Sequence, residues 1–76
     1  MSNIKLRNKA GSMIAQFTNR AGMAALDGIK GHWTTVGKFN KPAFVVKEDM
    51  KMTFGEGALK MEFFIWKGYK FILEGE

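Results

Sequence analysis

The sequence contains no cysteine. Neither a disulfide framework nor a thiolate zinc site can therefore staple the fold. There is one histidine, His32, and one proline, Pro42. A single imidazole cannot build a histidine-rich metal centre, and it is a thin basis for a catalytic triad, which needs a nucleophile, a base and an orienting acid. Beside Trp33 and after the glycine-rich stretch 28–31, His32 reads as a loop or strand-edge residue. Long hydrophobic runs are missing too: the longest aromatic–aliphatic stretch, Phe63-Phe64-Ile65-Trp66, falls far short of the roughly 20 residues of a membrane-spanning helix, and of a signal-peptide core. With a polar, basic start, the expected location is the cytoplasm. No internal repeat, low-complexity tract or linker is visible, which makes residues 1–76 a single domain.

What is present is apolar content and an uneven charge. Apolar residues make up 46% and aromatic residues 13% of the 76 residues, enough burial at about 25 cal/mol per Å² to support a core. Residues 1–47 carry eight cations against Asp27 alone, whereas residues 48–76 carry four lysines against six acids. A basic half favours an anionic partner; the plainer reading is ordinary solvated surface charge.

Period-two alternation makes the C-terminal half readable. Met61, Phe63 and Ile65 alternate over residues 60–66, and Tyr69, Phe71 and Leu73 over residues 69–74. Placing both sets on one face sets Ile65 opposite Tyr69, Lys60 opposite Glu74, and Gly68 at positive φ in a three-residue loop. Met50, Met52 and Phe54 extend that face. A four-residue loop, Gly55-Glu56-Gly57-Ala58, then sets Phe54 opposite Leu59, Met52 opposite Met61, Met50 opposite Phe63 and Lys51 opposite Glu62. Residues 33–39 and 43–47 read as two more strands, joined through Asn40-Lys41-Pro42.

Upstream, Met13, Ile14, Phe17, Ala21, Ala24 and Ala25 recur at roughly helical spacing, with Ser12 as a cap and Gly28 as an end, although Gly22 costs about 1 kcal/mol inside a helix. The expected fold is α+β: a five-strand antiparallel meander with one N-terminal helix, residues 12–27, packed on it. The rival is a hairpin turning near Asn19 and an all-β, SH3-like or OB-like small barrel. Residues 1–11 read as a flexible basic arm or an edge strand.

The motifs mostly read as structure. Glu48 and Asp49 are adjacent carboxylates, which in a strand would point to opposite faces and could not share a substrate, and they read as the turn between residues 43–47 and 50–54. Gly55-Glu56-Gly57 lacks the third glycine and the helix of a dinucleotide fingerprint. Met50 and Met52 fill a core. What remains is a basic surface interleaved with aromatics, the composition that holds single-stranded nucleic acid. Lys5, Arg7, Lys9, Arg20, Lys30, Lys38 and Lys41 are the candidate phosphate contacts and Trp33 and Phe39 the stacking candidates, unless those two rings belong to the core. No RNP, KH or helix-turn-helix signature accompanies them.

Phe64 falls on the face away from Phe63 and Ile65, with Ile72 diagonal to it and Trp66 at the loop. Either the helix covers Phe64 and Ile72, or they mark a protein contact. The leading expectation is a non-catalytic module, with no metal or cofactor, that binds nucleic acid or a nucleoprotein complex. The alternative is a protein-binding inhibitor or adaptor, of the kind phages and mobile elements encode, anchored by Phe64, Trp66 and Ile72. Missing nucleophile and acid–base constellations disfavour an enzyme.

Overall fold

The computed structural model describes residues 3–54 and 60–74, with Phe54 as backbone alone. In chain order the elements are β1 (Asn3–Arg7), β2 (Met13–Thr18), α1 (Asn19–Leu26), β3 (Gly31–Val36), β4 (Lys41–Val46), β5 (Met50–Phe54), β6 (Met61–Ile65) and β7 (Lys70–Glu74). Five strands form one antiparallel sheet in the order β2-β1-β7-β4-β3, and β5 pairs with β6 in a separate hairpin. The protein is mostly-β α+β with one short helix, and the sheet does not close into a barrel.

The meander is therefore corrected. The sheet has five antiparallel strands, but two of the expected ones leave it and residues 3–18 supply two others. β1 is neither an arm nor an edge strand: it lies between β2 and β7, with Ile4 and Leu6 fully buried. β7 lies between β1 and β4, with Phe71 opposite both Leu6 and Phe44. The reason is in residues 71–73, where Phe71, Ile72 and Leu73 are apolar in succession. Phe71 is fully buried on one face while Ile72 is half-buried on the other, as suits an interior strand.

Ile65 accordingly does not face Tyr69, and Lys60 does not face Glu74, whose strand partner is Asn3. Residues 66–69 instead carry the chain from the hairpin to the sheet. Tyr69 N donates to the Trp66 carbonyl at 3.0 Å and Gly68 N to the Val46 carbonyl at 3.0 Å. Gly68 does take a positive φ, 97°, and a side chain there would also meet that of Lys9 at 2.7 Å. In the β5–β6 hairpin the pairing is shifted by two residues from the expected one, with Met52 opposite Phe63 and Met50 opposite Ile65. A shift of two preserves the faces, so Met52 and Ile65 are still buried. Lys51 stands opposite Phe64 and reaches Glu62 diagonally, Nζ to Oε2 2.8 Å. The expected Gly55-Glu56-Gly57-Ala58 loop and Leu59 lie outside the described residues.

Residues 12–27 split between strand and helix. Ala15 and Phe17 turn inward from β2, opposite Leu6 and Ile4. Ser12 belongs to the β1–β2 turn, where its N–H donates to Asn8 Oδ1 at 2.9 Å. Thr18 is the actual helix cap, its Oγ1 accepting from Ala21 N at 3.3 Å. Gly22 sits mid-helix because α1 crosses β1 closely there: a Cβ would lie 2.7 Å from Ile4 Cδ1 and 2.9 Å from Ile4 Cβ. The β3–β4 turn falls at residues 37–40, where Gly37 and Asn40 take φ of 75° and 53°, and Pro42 lies within β4.

Ile4, Leu6, Phe17, Phe44, Val46 and Phe71 pack from one face of the sheet against Leu26 of α1, Ile29, and Met52 and Ile65 of the hairpin. Phe17 makes an edge contact with Phe63 at 6.1 Å between centroids. Gly22→Val should lower stability by about 1–3 kcal/mol through overpacking against Ile4, read as a drop in the urea midpoint. Gly28→Ala, with open space around its Cβ, should leave the midpoint close to wild type. Equal stability of both variants would mean that Ile4 moves aside freely.

Candidate functional site

Since α1 and the hairpin pack on one face of the sheet, the other is left open among the described residues, and strand alternation decides what it presents. On β1 these are Asn3, Lys5 and Arg7; on β7 they are Glu74, Ile72 and Lys70, in register with them. On β4, Ala43 faces Ile72 and Val45 faces Lys70, with Lys41 two residues further on. Thr34 and His32 of β3 and Gln16 of β2 flank this centre and are exposed. Three adjacent strands thus place Lys5, Arg7, Lys41 and Lys70 around a small apolar middle of Ala43 and Ile72.

One carboxylate sits among them. Glu74 Oε2 lies 2.8 Å from Lys5 Nζ and 3.8 Å from Arg7 Nη2, and Oε1 lies 3.4 Å from Lys41 Nζ. The Lys5 ammonium, 2.8 Å away, holds the Glu74 carboxyl below its ordinary value of 4.5, against the opposing effect of burial and with Lys41 adding to the lowering. Glu74 serves as an internal counter-anion and keeps three long side chains laid across the face.

The structure brings together Lys5, Arg7 and Lys41 of the cations expected from sequence, and adds Lys70. The others go elsewhere. Lys9 is in the β1–β2 turn, with its side chain over Gly68. Arg20 is exposed in the first turn of α1. Lys30 precedes β3 and faces Glu48, Nζ to Oε2 3.8 Å. Lys38 is exposed in the β3–β4 turn. No protein-family model, curated protein or solved structure matches the chain.

Of the aromatic candidates, Phe39 is 81% exposed beside Lys38, so it is not a core ring. Trp33 is 46% exposed and packs edge-on against Phe44 at 5.4 Å between centroids, on the covered side of β3. Phe64 and Trp66 stack on each other at 6.1 Å and remain 64% and 49% exposed, so α1 does not cover Phe64. Ile72 belongs to the open face of the sheet and not with that pair, because β7 does not pair with β6. Among the described residues no three His, Asp or Glu side chains converge as a metal site would require, and no helix is long and apolar enough to cross a membrane.

Because Glu74 has a lower pKa folded than unfolded, its contribution to stability is present above the ordinary carboxylate value and is lost as pH falls through the folded one. Glu74→Gln should therefore be less stable than wild type at pH 7. The gap should close on acidification below the ordinary value of 4.5, as measured by urea unfolding across pH. A gap independent of pH would show that Glu74 acts through packing alone.

Proposed function

We propose that the chain is a non-catalytic module that binds nucleic acid through the open face of its sheet. The observation that supports this reading is the placement of Lys5, Arg7, Lys41 and Lys70 on three neighbouring strands against a single carboxylate. Cations spaced over a sheet face neutralise successive phosphates and release their counterions, which supplies affinity without base recognition. Partial burial of their stems and, for Lys5, Arg7 and Lys41, the shared contact with Glu74 reduce the side-chain entropy lost on binding. Phe39, exposed beside Lys38 at the turn that leads into Lys41, provides a ring on which a base can stack.

Binding of a fluorescein-labelled single-stranded oligonucleotide should weaken linearly on a logarithmic salt scale. Arg7→Ala and Lys70→Ala should each reduce the slope by about 0.7, the value for one phosphate contact on a single strand. Lys60→Ala, away from the open face, should leave it unchanged. Affinity indifferent to salt would sink the reading.

A second reading, a protein-binding inhibitor or adaptor, is favoured by the exposed Phe64–Trp66 stack. Large rings held together at a surface are the usual anchors of protein interfaces, where truncation commonly costs about 2 kcal/mol or more. Under it, Trp66→Ala should keep the fold by circular dichroism and lose a partner that nuclease treatment leaves bound. Retention of that partner would remove the aromatic pair from consideration.

A further inference from the structure

The register of β1 against β7 sets Arg7 directly opposite Lys70 on the open face. Side chains so placed have Cβ atoms about 4.5–5.5 Å apart, and like charges there destabilise a sheet. The other pairs these two strands present on the same face avoid the conflict: Lys5 stands opposite Ile72 and Asn3 opposite Glu74.

No acid among the described residues relieves the repulsion. Glu74 engages Lys5 and Lys41 and reaches only the Arg7 member of the pair, at 3.8 Å. Asp49 accepts instead from the Lys67 N–H, at 2.6 Å. Among the described residues no carboxylate forms an ion pair with Lys70, although Lys70 is half-buried. A half-buried cation that faces another cation and has no counter-charge of its own is completed by an anion from outside.

Lys9, outside the Glu74 cluster, adds a third cation at this end of the face. Carried two residues further, the same register would set Lys9 opposite Gly68, and the Lys9 stem does lie there: a Cβ on Gly68 would meet its Cε at 2.7 Å and its Cγ at 3.1 Å. Glycine at position 68 thus leaves room for that stem. The Arg7 guanidinium is anchored beside it, because Nη1 donates to the Gly11 carbonyl at 2.9 Å and so engages one of its five N–H donors. A guanidinium fork matches the oxygens of a phosphate, and ammonium groups add compact charge around them.

We propose that Arg7, Lys70 and Lys9 together clamp a single phosphate group, as distinct from each contacting its own. The clamp rests on the nucleic-acid reading for its ligand, a backbone phosphodiester, and is tested both with and apart from nucleic acid. In the first arm, the salt dependence of oligonucleotide binding is compared for Arg7→Ala, Lys70→Ala and the double variant. With one shared phosphate the double variant should lower the slope by no more than about 0.7, the loss of one contact. A fall of about 1.4, the sum for two phosphates, overturns the clamp and leaves the nucleic-acid reading standing. Lys9→Ala, at an exposed position, should weaken binding about threefold with an unchanged urea midpoint, and normal binding by it overturns the clamp. Lys70→Glu turns the like-charge pair into an opposite-charge one, so it should raise the urea midpoint and yet weaken binding about tenfold or more. A fall in both would mark Lys70 as structural and overturn the proposal. In the second arm, inorganic phosphate alone should shift the amide resonances of residues 7, 9 and 70 in the wild type and not in the double variant. Absence of those shifts overturns the clamp; their presence without oligonucleotide binding supports it and rejects nucleic acid as the source of the phosphate.

Discussion

The β1–β2 and β3–β4 pairs meet only across β7, and every larger feature of the molecule follows from that placement. Phe71 touches both ladders from one position, opposite Leu6 on one side and Phe44 on the other. Without it each pair would be an isolated hairpin, and isolated hairpins are marginally stable in water. The covered face exists only once β7 has joined the two, because α1 contributes Leu26 and the β5–β6 hairpin contributes Met52 and Ile65 to one continuous core. Such an arrangement makes long-range pairing the decisive step, since β1 and β7 lie near opposite ends of the chain and closing a large loop precedes any gain from the ladder.

Burial was more legible in the sequence than neighbourhood was. Period-two alternation correctly groups Met52, Ile65 and Phe71 on buried faces, because alternation reports which side of a strand is apolar. It does not report which strand lies alongside. The turn at Gly68 has the same local chemistry whether it joins two strands of one sheet or passes from one sheet to another, so its positive φ was predictable while its role was not. Apolar succession is only a partial signal: Phe71-Ile72-Leu73 and Phe44-Val45-Val46 lie in interior strands, yet Phe63-Phe64-Ile65 of β6, equally apolar in succession, lies in a two-stranded hairpin and leaves Phe64 exposed. In residues 12–27 two periods overlap: Ala15 and Phe17 satisfy a strand, and the spacing of Phe17 to Ala21 also satisfies a helix. Thr18, a capping residue inside that run, marks where one becomes the other.

The charge map follows the same logic. Counted along the chain, acids and bases separate into halves; folded, the threading of β7 between β1 and β4 carries Glu74 into the basic half and Lys70 with it. Lys70 lies in the half of the sequence where acids outnumber lysines, yet its strand neighbours are Arg7 and Val45. Sequence distance is a poor guide to electrostatic environment where a central strand comes from far along the chain, because screening acts over about 10 Å of space.

A chain made from its N-terminus releases β1 through β4 before β7, and until β7 arrives the facing edges of β1 and β4 lack the strand that joins them. An edge that lacks its partner is open to the same segment of another chain, the general hazard behind domain swapping. The short tether at residues 66–69, held by the Tyr69–Trp66 and Gly68–Val46 hydrogen bonds, favours the chain's own copy by keeping it close at hand once the hairpin has formed.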